Sequence, residues 1–271
     1  MCVVTDEHPG IDLSRPNAAR IYDYMLGGSH NFAVDRAAGE AMLARFPDAA
    51  LAGHANRAFL GRAVELCCEL GISQFLDLGS GIPTAGNVHD IARRHLPDAR
   101  VAYVDIEPVA VAHSRAVLAD QVGVTITRAD LRDPDQVLSA DGVRGLLDFE
   151  APVAVLAVAA LHYVAPDDDL PAVVGRYREV MAPGSALVIS HGSDDVADPA
   201  AAAHMRELAE VMATSATPAY LRSRARLHEA LAGFDLVDPG LVDIRRWRTH
   251  SELPDTAVYG AVGLVSARRR R

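Results

Sequence analysis

The sequence predicts an α/β protein: a doubly wound, mostly parallel seven-stranded sheet behind an N-terminal helical cap. Three observations carry that expectation. From about residue 74 to residue 190, short apolar runs of strand length alternate with segments of helical period, as strands joined by crossover helices do. One run, Pro152–Ala159 (PVAVLAVA), is apolar throughout, which fits a central strand covered on both faces. The first 70 or so residues and the last third depart from this alternation.

Each element follows from local signals. Ser14-Arg15-Pro16 offers a helix cap with proline in the first turn, and Gly27-Gly28 a stop. A second helix is expected over Ala33–Arg45, ended by Phe46-Pro47, and a third over about His54–Leu70, closing at Gly71. Strands are expected at Gln74–Leu78, Arg100–Val104, Val122–Thr127, Pro152–Ala159 and Ser185–Ser190, with helices at about Ala85–His95, Glu107–Ala119 and Asp168–Met181 between them. Pro199–Met212 and Ser223–Leu231 then read as two consecutive helices. Two late strands follow, Phe234–Val242, interrupted by Asp238-Pro239-Gly240, and Val258–Val265. The expected division within one structural domain is a helical cap or lid over 1–72, a ligand-binding core over 73–192, a helical insertion over 193–232 and closing strands with an arginine tail over 233–271.

Composition narrows the chemistry. Half of the 271 residues are hydrophobic and 5% aromatic, a globular balance. No apolar run approaches the ~20 residues of a membrane span, and Met1–Glu7 lacks a basic segment followed by an apolar one. The expectation is a cytoplasmic protein with no membrane partner. The net charge of −10 disfavours a phosphate backbone, so no nucleic-acid partner is expected; Arg268–Arg271 reads as a solvated tail. All 26 basic residues are arginine and none is lysine, which excludes the P-loop lysine, Schiff-base chemistry and lysine nucleophiles. Cys2, Cys67 and Cys68 form neither a disulfide framework nor a CxxC pair, and the eleven histidines show no ligand spacing, so no metal is expected. Asp167-Asp168-Asp169 lacks the glycine and glutamate of a calcium loop and reads as an acidic helix start.

The chemistry gathers at the C-terminal ends of the first strands. Gly79-Ser80-Gly81 follows the first strand, where glycines let a backbone turn closely around a ligand at a helix start. Asp105 lies 24 residues beyond Gly81 at the tip of the second strand, placed to take both hydroxyls of a ribose. Together they indicate a nucleoside-containing cofactor; NAD, FAD and S-adenosylmethionine all satisfy that description. The turn continues Ile82-Pro83-Thr84, so Thr84 replaces the third glycine of a pyrophosphate binder. Arg128-Ala129-Asp130-Leu131, after the third strand, puts an acid where it can accept from an adenine amino group or cap the loop.

These motifs resemble class I S-adenosylmethionine-dependent methyltransferases over about residues 73–190. Phe75–Gly81 is similar to their first motif, Val104-Asp105 to their ribose acid, Ala129-Asp130-Leu131 to their adenine motif, and Leu161–Val164 to the segment after strand four. Tyr177–Ser185 is similar to the passage into strand five, and the late strands to their C-terminal antiparallel hairpin. Pro83 departs from the pattern. The flanks, Ala19-Arg20-Ile21-Tyr22-Asp23-Tyr24-Met25-Leu26-Gly27-Gly28 with Asn31-Phe32, and Gly81–Thr84 with Asn87-Val88-His89, resemble one bacterial methyltransferase-like family across nearly the whole chain. The resemblance implies a Rossmann-like methyltransferase fold and S-adenosylmethionine as cofactor, held by Asp77, Gly79, Ser80, Gly81, Asp105, Ile106, Asp130, Leu131 and Val158. It gives Asp77 a part near the methionine amine.

The implied activity is methyl transfer to a small-molecule acceptor. Acceptor and oligomeric state are not legible. The alternatives are a non-catalytic protein that binds S-adenosylmethionine or its product, and a nicotinamide-dependent oxidoreductase. His162 is a candidate general base, with a structural role as the competing reading. Arg20, Tyr22 and Asn31 are candidate substrate or lid residues, because Arg15–Phe32 is dense in ligand-capable groups and punctuated by Gly27-Gly28. Arg222, Arg224 and Arg226 are expected on the solvated surface, and Trp247 over the sheet edge.

Overall fold

Apolar residues alternate along the central strands and are buried on both sides, so the sheet divides the core in two. The computed structural model describes residues 12–83, 86–213 and 215–266. Thr84, the N-terminal stretch with Cys2, and the arginine tail lie outside the described residues. The order is α1 (Ala18–Met25), α2 (Ala33–Arg45), α3 (Ala49–Glu69), β1 (Gln74–Leu78), α4 (Val88–His95), β2 (Arg100–Asp105), α5 (Pro108–Leu118), β3 (Val124–Arg128), α6 (Pro134–Ser139), α7 (Asp141–Arg144), β4 (Ala154–Val158), α8 (Leu170–Val180), β5 (Ala186–Gly192), α9 (Pro199–Met212), α10 (Arg224–Ala230), β6 (Asp235–Leu236), β7 (Val242–Asp243) and β8 (Val258–Leu264).

The strands lie in the order β3-β2-β1-β4-β5-β8-β6, with β7 also on β8. β1 to β5 are parallel, and β8 runs antiparallel to β5 from Ala186↔Leu264 to Gly192↔Val258. β6 and β7 take successive stretches of the other edge of β8. They are one strand broken at Asp238-Pro239-Gly240, so the seven expected strands become eight segments. The order turns back between β1 and β4, where open α/β sheets form a ligand crevice at the strands' C-terminal ends.

Leu76, Leu78, Val155, Ala157, Leu187 and Ile189 share one core with α8 and α10 residues. Phe75, Leu156 and Val188 share the other with residues of α3 and α4. Alternate residues of β4 thus enter opposite cores, which is why its sequence is uniformly apolar. Trp247 is fully buried against Phe59 of α3, ring centroids 5.3 Å apart, and belongs to the second core instead of covering an edge. A smaller cluster of Ala18, Ile21, Met42, Phe46 and Met212 joins α1, α2 and α9.

Several boundaries differ from expectation for local reasons. Asn17, not Ser14, caps α1, its side chain accepting from Ala19 N; Ser14 is taken up by Asp12. α3 begins five residues before His54. α6 and α7 are short helices absent from the sequence reading; Asp133 caps α6 ahead of Pro134. The acidic run behaves as expected: Asp169 caps α8 by accepting from Ala172 N.

Candidate active site

β1 ends in the turn Gly79-Ser80-Gly81, bent by left-handed φ values of 69° at Gly79 and 65° at Gly81. Glycine adopts that region without the steric cost other residues bear. A Cβ on Gly79 would meet the Ala160 side chain at 2.7 Å, whereas one on Gly81 would meet nothing within 4 Å. The first glycine lets the segment after β4 pack on the turn, and the second leaves space for a ligand. The turn is fastened to β2: Gly79 N donates to Val104 O (2.8 Å) and Gly81 N to Asp105 Oδ2 (2.7 Å).

Asp105 also accepts from Glu107 N at 2.8 Å through Oδ1. The carboxylate, which has about four acceptor sites, also lines the cavity. Burial pushes the Asp105 carboxyl up to about 6, against the opposing hydrogen bonds from the amides of Glu107 and Gly81. Burial likewise pushes Asp77 up to about 7, partly offset by the Arg57 charge and reinforced by Asp105. Two buried acids facing one cavity favour a cationic ligand. Ser80 Oγ is buried without a hydrogen-bond partner among the described residues.

One cavity of about 1090 Å³ collects these groups, slightly above the usual range for small-molecule sites. It is lined by all nine residues that the resemblance implicates in cofactor binding: Asp77, Gly79, Ser80, Gly81, Asp105, Ile106, Asp130, Leu131 and Val158. Ile106 is 48% exposed, an apolar side chain without core packing at the tip of β2. Asp130 is clasped by Arg132, Nη2 to Oδ2 at 2.6 Å, at the cavity wall. The buried acids, the space beside Gly81 and the unpartnered Ser80 hydroxyl together fit S-adenosylmethionine.

The N-terminal candidates divide. Tyr22 lines the cavity, and its hydroxyl donates to Gly53 O at 3.0 Å. Arg20 also lies in the wall but is 1% exposed. Its guanidinium donates to Asp35 Oδ2 (2.7 Å) and Glu107 Oε1 (2.6 Å). Asn31 is not brought to the cavity; its amide donates to Asp23 Oδ2 (2.8 Å) and Gly28 O (3.0 Å). The same Asp23 oxygen accepts from His30 N, and a Cβ on Gly28 would sit 2.0 Å from Asp23 Oδ1. The Tyr-Asp-Tyr-Met-Leu-Gly-Gly segment is thereby explained as a closed loop on an aspartate.

His162 lines the cavity on the turn after β4. Burial, helped by the Arg222 charge, lowers it to about 4. Arg222 departs from the solvated position expected of it. It is half-buried, donates to Val164 O (2.7 Å) and Leu161 O (3.3 Å), and lies 3.1 Å from His191 Nε2. Arg224 and Arg226 are exposed as expected.

Sequence reasoning missed Glu107, Asn56 and Ser190. Ala159 N donates to Ser190 Oγ (2.8 Å), Ser190 donates to Asn56 Oδ1 (2.6 Å), and Asn56 Nδ2 reaches Tyr22 Oη (3.4 Å). This chain ties β4, β5, α3 and α1 around the cavity. Only Glu107 carried a local signal, an acid ahead of Pro108 at a helix start.

No helix among the described residues is long and apolar enough to cross a membrane. The chain is similar to the crystal structure of a candidate methyltransferase from Thermobifida fusca YX, with 37% identity and a TM-score of 0.89 over 96% of this chain and 98% of that one. It is similar to a DUF574 family protein from Streptomyces avermitilis MA-4680, with 36% identity and a TM-score of 0.86 over 93% and 98%. Human N-acetylserotonin methyltransferase, in complex with S-adenosylmethionine, shares the fold at 15% identity and a TM-score of 0.51 over 93% of this chain and 63% of that one. Among curated proteins there is no match. A family model described as S-adenosyl methyltransferase matches residues 4–268, so the chain belongs to that family and is a class I S-adenosylmethionine-dependent methyltransferase.

Proposed function

We propose that this enzyme methylates a small molecule bound in the same cavity as the cofactor. The observation that carries the reading is the continuity of that cavity. It is lined both by the glycine turn and its acids and by residues of α1, the end of α2, α9 and the 216–221 segment. Asp105 binds the ribose hydroxyls, Asp130 the adenine amino group with Ile106 and Leu131 flanking the base, and Asp77 the positively charged methionine end. The Gly79-Ser80-Gly81 turn and Val158 complete the cofactor's surroundings. S-adenosylmethionine supplies an electrophilic methyl group when bound.

The chain's own contribution is positioning and exclusion of water. α1 roofs the cavity as a fixed wall, because Arg20 is held by two buried carboxylates. His162, kept neutral, accepts a hydrogen bond or proton from the acceptor's nucleophile, and Tyr22 shapes the wall facing it. Asn31 contributes by holding the loop that ends α1. Free, buried Cys67 and Cys68 suit a reducing compartment, and the cytoplasm is the location we assign.

Thermal melts with S-adenosylmethionine, S-adenosylhomocysteine and NADH test the cofactor assignment, since only ligands of the native site raise the melting temperature. Turnover to S-adenosylhomocysteine with fractionated small-molecule extract tests the acceptor class. Equal stabilisation by NADH, or turnover only with macromolecular fractions, would overturn the reading.

A further inference from the structure

α9 carries an apolar stripe at Ala201, Met205, Leu208, Ala209 and Met212, the spacing of a single helical face. A surface helix ordinarily buries such a face in the core. Of the fourteen residues of α9, however, only Ala202 and Met212 are buried, and all five stripe residues line the cavity. Met25, Met42 and Phe46 line it from α1 and the end of α2. Four of the chain's six methionines therefore border one space. Methionine is unbranched and polarisable, and it adapts to irregular apolar shapes.

The charges along the cavity lie elsewhere. Asp77, Asp105 and Asp130 belong to the cofactor end, with Arg132 on Asp130 and Arg57 acting on Asp77. Arg20 and Glu107 pair with each other, Asp12 with Arg15 and Asp255 with Arg246. Asp23 holds the 28–31 loop, Arg245 donates to Pro254 O, and Asp48 and Asp198 are exposed at the rim. A charged acceptor against the stripe would lose its hydration without gaining a counterion, a cost of several kcal/mol. The rim is apolar in part as well: Leu51 is 54% and Leu253 61% exposed, and both border the cavity. Exposed leucines bordering the same cavity extend its apolar lining outward.

We propose that the methyl acceptor is an uncharged, predominantly apolar small molecule seated against the α9 face of Ala201, Met205, Leu208 and Ala209, beside the point where Met212 packs with Met42 and Phe46. This rests on the reading of the cavity as a methyl-transfer site. It assigns α9, and not the cofactor machinery, as the element that selects the acceptor.

The test is calorimetric titration of the full chain with naphthol and with a ring-sulfonated naphthol, each with and without saturating S-adenosylhomocysteine. Naphthol is expected to bind at least about tenfold more tightly than the sulfonate. Leu208→Asp and the near-isosteric Met205→Gln should each weaken naphthol binding, the first by roughly tenfold or more. S-adenosylhomocysteine affinity should hold within about twofold in both variants, which also shows that they fold. Equal or tighter binding of the sulfonate, or naphthol affinity unchanged in both variants, would overturn the proposal. Wild-type protein that binds naphthol selectively but takes up no S-adenosylhomocysteine would instead overturn the methyl-transfer reading, with the apolar preference still read from the naphthol pair.

Discussion

Arg20 and Glu107 form a 2.6 Å ion pair in which both side chains are buried, joining α1 to the residue that caps α5. Asp35 takes a second edge of the same guanidinium at 2.7 Å and also accepts from Asn17 N and Phe32 N. Breaking a buried pair strands the remaining charge and costs about 3–5 kcal/mol. Arg20→Met should therefore lower the melting temperature strongly and raise hydrogen exchange across residues 18–25. Retained stability and protection in this variant would show that the wall stands without the pair.

Asp105 faces the cavity while fastening the glycine turn. Asp105→Asn keeps the shape and one acceptor but removes the charge. We expect cofactor affinity to fall by about 1.5–3 kcal/mol, the range for hydrogen bonds to charged groups, as read by titration with S-adenosylhomocysteine. The melting temperature of the ligand-free protein should fall modestly, because the amide nitrogen that replaces one oxygen cannot accept from Gly81 N or Glu107 N. Gly81→Val should be worse for binding, since its side chain would project into the open space beside the turn. Wild-type titrations from both variants would place the cofactor elsewhere.

Asp77 gives the cofactor affinity a pH dependence of definite sign. Its carboxyl sits at about 7 through burial, and a cationic ligand prefers its ionised form. Binding is then tightest above pH 7 and weakens as pH falls through 7, by at most about tenfold per unit while one proton is coupled. Asp77→Asn should bind more weakly at pH 8 and lose the slope between pH 8 and 7, with any remaining slope toward pH 6 belonging to Asp105. A slope that persists unchanged in the variant would assign the proton to another group.

Sheet and turn were legible because they depend on neighbours in sequence. β1 and the glycine turn are contiguous, and the apolar run of β4 follows from burial on both faces. What escaped depends on distant partners. Arg20 resembles any other arginine in the sequence, yet its two carboxylates lie 15 and 87 residues away. Alternate spacing excludes a shared helical face and so predicts a solvated Arg222, but it precedes α10 and reaches back to the 161–164 turn. Asn31 looked like a ligand group and is taken up by Asp23, a residue eight positions away. The α9 helix itself was visible, but the space beside its apolar face was not, since periodicity does not distinguish a core from a cavity.

His162 can be tested as a proton acceptor against a purely structural part. Its ring has no hydrogen bond among the described residues, although it packs 4.3 Å from the Tyr163 ring and 5.6 Å from that of His191. A value of about 4 keeps the imidazole neutral at every pH above 5, so its own titration adds no acid limb near neutrality; any limb near pH 7 belongs to Asp77. General-base assistance contributes typically 10²–10⁴-fold. His162→Ala should accordingly lower kcat by about a hundredfold or more, leaving KM for S-adenosylmethionine and the limb near pH 7 in place. His162→Gln, which keeps volume and hydrogen bonding but cannot take the proton, should remain nearly as slow. Recovery of most of the rate by glutamine, or a loss below about tenfold in both variants, would assign His162 to positioning, with the proton leaving directly to water.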